Sequence, residues 1–139
     1  MLNFSYYLPT HFVFGRGAEE KAGEMTRQAG GTRVLIHYGG GSALRSGLIG
    51  KVEDSLKRAG VYFTAQGGAQ PNPLASKVYE GIRLIRAEKI DFILAVGGGS
   101  AMDSAKAMAL GAVYEGDFWD FFCGKATPQA HLPVGAVLT

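Results

Sequence analysis

Two hydrophobic periods alternate along the chain. Short, nearly continuous apolar runs at 33–38, 61–65, 91–96 and 134–138 have the length and character of strands buried on both faces. Between them, apolar residues recur every three or four positions. In the segment 48–59, Ile49, Val52, Leu56 and Ala59 form one stripe, with Lys51, Glu53, Asp54 and Lys57 off it. In 73–87, Leu74, Val78, Ile82 and Ile85 face inward against Lys77, Glu80, Arg83 and Arg86. A further helix is expected from about Ser100 to Leu110. An earlier one is expected from Ala18 to Ala29, with Glu19 and Glu20 in its first turn and Arg27 in its last, where the helix dipole favours them, and Gly30-Gly31 as its stop. Ahead of it, 4–8 and 11–14 read as two short strands about a Pro9 turn, closed by Gly15-Arg16-Gly17. The predicted fold is α/β: a Rossmann-like parallel sheet with helices on both faces and a short N-terminal β-ribbon.

Composition changes this picture in one respect. Of 139 residues 21 are glycine, and they cluster in two loops that follow predicted strands, which points to close backbone approach to a ligand. The net charge of +2 and the scattered basic residues give no electrostatic footprint for nucleic acid or an anionic membrane. A single cysteine, Cys123, rules out an internal disulfide and a cysteine-rich metal site, and suits a reducing compartment. Met1-Leu2-Asn3-Phe4-Ser5 lacks the features of a signal peptide, and no apolar stretch reaches the ~18 residues a membrane span needs. The expectation is a cytoplasmic domain.

The first loop is Gly97-Gly98-Gly99-Ser100-Ala101-Met102-Asp103-Ser104-Ala105-Lys106. Glycines here let a backbone pass close to a bulky anion, at which the following helix aims its free N–H groups. Ser100 can cap that helix and offer a hydroxyl to a phosphate. The usual dinucleotide fingerprint is absent, because Met102 stands where G-x-G-x-x-G requires glycine, and no P-loop lysine follows. The spacing equally fits a tight turn closed by a Ser-x-x-Asp capping box from Ser100 to Asp103, with Lys106 as the i,i+3 partner of the aspartate. Both readings stay open at this point. The second loop, Gly39-Gly40-Gly41-Ser42-Ala43-Leu44-Arg45-Ser46-Gly47, has no acidic residue at the strand end to hold an adenosine ribose; its glycines, Ser42 and Arg45 leave room and positive charge for a 2′-phosphate, or form a plain turn with a solvated arginine.

The run GGGSAMDSAK, preceded by DFILAV, resembles the GGGSxxDxAK signature of the iron-containing (group III) alcohol dehydrogenases. FVFGRGA at 12–18, the Pro71-Asn72-Pro73 triplet and the final LPVGAVLT agree in order and spacing, and YGGGS at 38–42 is similar to the butanol dehydrogenase and aldehyde reductase branch. The resemblance implies that Gly97, Gly98, Gly99 and Ser100 bind the cofactor pyrophosphate. It implies that Gly40, Gly41 and Ser42 lie beside the adenosine ribose, that Asn72 and Asp103 line the cleft, and that Thr139 opens a further cofactor loop. It implies NAD or NADP as cofactor, with NADP favoured by the missing acid and Arg45. It also implies a divalent metal, iron or zinc, held by one Asp and three His of a following helical domain, a primary alcohol or aldehyde substrate, and a homodimer. On this reading residues 1–139 are the dinucleotide-binding domain of a longer enzyme, no catalytic residue or metal ligand lies among them, and the domain alone is inactive. The histidines, His11, His37 and His131, lack helical His-x-x-x-His spacing.

The aromatic run 117–122 reads as a packing face ahead of a substrate wall, Cys123 as an indifferent thiol, and His37 as a core histidine with its hydrogen bonds met. Competing identities are a glycerol dehydrogenase or dehydroquinate synthase relative, and a non-catalytic phosphate- or nucleotide-binding module such as a flavodoxin-like domain. A receiver domain is disfavoured because the first strand ends in glycines and not in clustered aspartates.

Overall fold

A computed structural model describes residues 3–139. Four parallel strands, β1 (Arg33–Gly39), β2 (Tyr62–Ala69), β3 (Phe92–Gly97) and β4 (Val134–Leu138), form one sheet in the order β2-β1-β3-β4. The helices are α1 (Ala22–Gln28), α2 (Gly41–Arg45), α3 (Leu48–Arg58), α4 (Ala75–Glu88), α5 (Gly99–Ala112) and α6 (Trp119–Phe122), and a 3-10 turn at Ala18–Lys21 leads into α1.

Alternation along the strands sends side chains to two cores. Val34, Ile36, Leu94 and Val96 meet Val52 and Leu56 of α3 on one face, while Leu35, Ile93 and Ala95 meet Val78, Ile82 and Ile85 of α4 and Met108 of α5 on the other. β3 is buried along its whole length, which explains its unbroken apolar sequence. Within each layer, neighbouring helices come into close contact at glycines. A Cβ on Gly23 of α1 would strike the carbonyl of Ser55 on α3, and one on Gly81 of α4 would strike Met108. The Ser55 hydroxyl completes the first contact, accepting from the Gly23 amide (2.9 Å) and donating to the Glu20 carbonyl (2.6 Å).

Three elements depart from the sequence reading. The β-ribbon at 4–8 and 11–14 does not form. These residues lack strand pairing, and Phe4, Tyr6, Tyr7, Phe12 and Phe14 are exposed, because a strand pattern needs a neighbouring backbone to bond and none lies beside it among the described residues. β2 runs four residues past Ala65, through Gly67 and Gly68, which the sequence marks as breakers. The loop 41–45 winds into the short helix α2. Met1 and Leu2, part of the stretch read for a leader, lie outside the described residues. No helix among the described residues is long and apolar enough to cross a membrane.

At the amino ends of the strands, the Asp91 carboxylate accepts from the backbone amides of Thr32 and Arg33 (2.9 Å each) and from the Thr32 hydroxyl. Burial works to raise its pKa, but these bonds together outweigh burial and leave the carboxyl below its ordinary value. Asp91→Asn should lower the unfolding free energy by about 1–2 kcal/mol at neutral pH. The lost contribution is full above the unfolded carboxyl's value of about 3.9 and fades as pH falls through the lower folded value. Urea unfolding of the two proteins from pH 7 to pH 3 should therefore show curves that converge toward the acid end.

Candidate functional site

The order β2-β1-β3-β4 places a topological switch point between β1 and β3, where the chain leaves the sheet toward opposite sides. Both glycine loops open at this point. β1 runs into Gly39-Gly40-Gly41 and α2; β3 runs into Gly97-Gly98-Gly99 and α5. A Cβ on Gly97 would lie 3.8 Å from the Gly39 amide nitrogen, so the two loops meet backbone to backbone. Gly97 takes φ +150°, a conformation that side chains rarely adopt.

Gly97 turns the chain so sharply that α5 starts earlier than its sequence suggests. The N-cap is Gly98, in extended conformation, and it has no side-chain cap. Ser100 therefore sits inside the first turn and does not cap the helix, and the Ser100–Asp103 capping box is not made. Nor do Asp103 and Lys106 form an ion pair within 4 Å among the described residues. The Gly98 carbonyl accepts from the amides of Ala101 and Met102 (3.2 Å each), which leaves the amides of Gly99 and Ser100 without helical partners. Added Cβ atoms on Gly98, Gly99 or Gly40 would meet nothing within 4 Å. The fold does not need these three glycines for room; open backbone of this kind is what a polyanionic ligand can approach.

Gly40 caps α2 in the same extended conformation, and Gly41 and Ser42 form its first turn. The Arg45 guanidinium folds back into the space that a side chain on Gly41 would need. Asn72, between two prolines, has φ +58°, one of two non-glycine residues in the left-handed region among the described residues. Asparagine tolerates this conformation better than most residues, yet strain of this kind clusters at ligand sites. Thr139 donates its amide to the Gly97 carbonyl (3.1 Å), so its backbone stands at the same loop. Nine of the ten sequence-predicted positions thus border the carboxyl ends of β1, β3 and β4 or the segment leaving β2; Asp103 lies a turn along α5.

Asp103 shares a cleft of about 400 Å³ with Pro73, Val78, Phe118, Trp119 and Phe122. The aromatic run divides its roles there. Phe118 is buried edge-on against Tyr79, as a packing residue should be, whereas Trp119 and Phe122 stack on one another, more than half exposed, along the cleft wall. The Asp117 carboxylate fixes the run, accepting from the Trp119 amide (2.9 Å) and the Tyr79 hydroxyl (2.7 Å); both bonds hold its pKa below the ordinary carboxylate value. A larger open groove between α1 and α3, bounded by Glu20, Glu24, Arg27 and Arg58, holds mixed charge and lies toward the opposite end of the strands.

The histidines do not converge. His11 is exposed, and His131 has its Nδ1 2.8 Å from the Leu132 carbonyl. His37 is fully buried, but only half of its polar surface is met. Nδ1 lies 3.1 Å from Gln66 Oε1, while Nε2 has no partner among the described residues, against the expectation of a core histidine with its hydrogen bonds met. Gln66 was not among the predicted site residues; it stands one residue past the apolar run 61–65 and just before Gly67-Gly68, a place that carries no signal of a buried partner. Cys123 is exposed and free, its Sγ 3.7 Å from the Asp120 carbonyl oxygen. No cluster of three His, Cys, Asp or Glu side chains among the described residues could hold a metal ion.

Residues 9–139 match the family model for iron-containing alcohol dehydrogenase. The chain belongs to that family. It is 40% identical over 139 residues to the NADH-dependent butanol dehydrogenase A of Clostridium acetobutylicum, all of the chain aligning with 36% of the relative. It is 39% identical over 142 residues to the NADPH-dependent aldehyde reductase of Escherichia coli, again across the whole chain and 36% of that protein. Among solved structures, the NADH-dependent butanol dehydrogenase A of Thermotoga maritima superposes with a TM-score of 0.95 at 48% identity, over 99% of this chain and 34% of that one. The chain thus spans just over a third of the length of these iron-containing alcohol dehydrogenases.

Two alanine substitutions separate the glycines that the fold requires from those it does not. Gly97→Ala, forced into φ +150° with its Cβ 3.2 Å from that of Ala101, should lose about 1–3 kcal/mol. Gly99→Ala, in open space at a helix start, should melt within about 2 °C of the parent, its better helix propensity offsetting any loss. Thermal denaturation followed by circular dichroism reads both.

Proposed function

We propose that this chain is the dinucleotide-binding domain of a metal-dependent alcohol dehydrogenase or aldehyde reductase, with a helical metal-binding domain as its functional complement. The observation that carries the reading is the pair of glycine loops meeting at the β1/β3 switch point, with room around Gly40, Gly98 and Gly99 that the fold itself does not use. In this reading the free amides of Gly99 and Ser100 and the positive end of α5 hold the pyrophosphate of a nicotinamide dinucleotide. Gly40, Gly41 and Ser42 face the adenosine ribose. Asn72, Asp103 and Thr139 border the path toward the nicotinamide. When bound, the cofactor supplies hydride exchange with a primary alcohol or aldehyde. The residues of this chain bind and orient it; they do not fit a metal site, so polarisation of the substrate oxygen falls to other groups.

NADP(H) is the favoured cofactor in this reading. β1 ends in glycines where an acid would repel a 2′-phosphate, and Arg45 lies over Gly41. The relatives' names print both cofactors, NADH for the butanol dehydrogenases and NADPH for the aldehyde reductase. Assembly as a homodimer fits the exposed aromatic side chains of the segment 4–14.

Cofactor fluorescence titration tests these assignments. Gly99→Ala should weaken NADPH binding by about tenfold or more, since a methyl placed between backbone and pyrophosphate removes close hydrogen bonds to a charged ligand. Arg45→Ala should weaken NADPH binding by about three- to tenfold and leave NADH within about twofold, as expected for loss of one partly exposed charge contact. Unchanged binding in the glycine variant would remove the pyrophosphate assignment. Tighter binding of NADH than of NADPH by the parent would remove the preference.

A further inference from the structure

His37 and Gln66 face each other on the last regular rung between β1 and β2. Beyond it, the register steps from His37 opposite Gln66 to Gly39 opposite Ala69, two residues on β1 against three on β2. That bulge re-aims the end of β2 toward Pro71-Asn72-Pro73. It is shaped by Gly68 at φ +91°, close under the Lys77 side chain, and by Gly67, which the Tyr38 ring covers.

The hydrogen bonds at this rung fix their own polarity. Gln66 Nε2 donates to the Lys77 carbonyl in the first turn of α4 (3.2 Å), so Gln66 Oε1 must face His37 and accept. His37 Nδ1 therefore carries the hydrogen, and the buried, unpartnered Nε2 is a bare acceptor. A second proton on His37 would place both a charge and an orphan N–H donor in the core. Burial accordingly lowers its pKa, and the bond to Gln66 opposes that only in part. The charged groups that bear on His37 come from α4, where Lys77 resists protonation and Glu80 favours it. β3 presents Ala95 at this rung, and the buried residues of α5 are Ala, Ser, Met and Gly.

We propose that His37 and Gln66 are positioning residues of the cofactor site, a chain from β1 through β2 to α4 that fixes the Gly39–Gly41 loop relative to Asn72 and holds only while His37 is neutral. The proposal rests on the reading that these loops hold the cofactor, and it makes cofactor affinity fall on acidification. The sign follows from the lowered pKa: the neutral form is secure above about 6.5, the value of an unperturbed histidine, and is lost as pH falls through the folded value.

Hydrogen exchange by mass spectrometry, corrected for intrinsic rates, tests the chain without any ligand. From pH 7.5 to pH 4.5, exchange across 67–72 in the parent should rise about fivefold or more while β3 stays protected, as for a local opening driven by one protonation. His37→Asn places an amide donor where Nδ1–H stands but cannot be protonated, and should abolish that rise. Gln66→Met should exchange fast at every pH. Identical pH profiles for the parent and His37→Asn, or a flat parent, would overturn the proposal; if Gln66→Met fails to fold, that comparison still decides it. NADPH titration at the two pH values is the second readout, with affinity expected to fall several-fold further in the parent than in His37→Asn, since protonation of the 2′-phosphate, with its second pKa of about 6, weakens binding in both. Failure of the parent to bind NADPH at pH 7.5 would count against the cofactor reading, while exchange alone would judge the His37–Gln66 chain.

Discussion

Everything at the carboxyl edge of this sheet depends on two backbones passing at near contact distance. β1 and β3 are neighbours, and each must leave the sheet at the same level, one toward α2 and α3, the other toward α5. A Cβ on Gly97 would already sit in van der Waals contact with the Gly39 amide nitrogen, at 3.8 Å, and crowd the Ala101 methyl at 3.2 Å. Gly97 makes this exit in a backbone conformation that other residues rarely adopt, and Gly39 supplies the matching bare surface. Once the loops lie together, the start of α5 is set within a residue, and its first amides open onto the seam between them.

The two ends of the sheet are built from different materials. At the amino ends a carboxylate, Asp91, gathers three donors from the segment entering β1 and ties that segment to β3. At the carboxyl ends there is little but glycine, short side chains and uncapped helix starts. The loop end keeps hydrogen-bonding capacity that the helices do not meet, in the first amides of α5.

The strands and main helices were legible because periodicity is a local property: 48–58 and 92–96 carry their stripes and runs without reference to anything else. The glycine loops were legible for the same reason. What escaped depends on partners distant in sequence. The run 4–14 has the pattern of strands and no ladder to join. β2 continues through Gly67 and Gly68 beside β1, where Gln66 meets His37 and Ala69 pairs with Gly39, partners about thirty residues away in sequence. The capping role expected of Ser100 failed by two residues, since the strand exit, and not the hydroxyl, decides where α5 begins. Asn72 could be named as a site residue by family likeness, but its left-handed backbone could not.

The sheet also has an unguarded side. Among the described residues β4 is bonded along one edge only, to β3, and Val134–Leu138 are partly or largely exposed, with Leu138 at 71%. Its sequence, VGAVL, carries no charge and no proline to discourage another backbone from docking there. That outer rim of β4 carries backbone groups of the kind to which another strand can add. A lysine introduced at an outward-facing position of that rim would be a rational first step toward a well-behaved preparation.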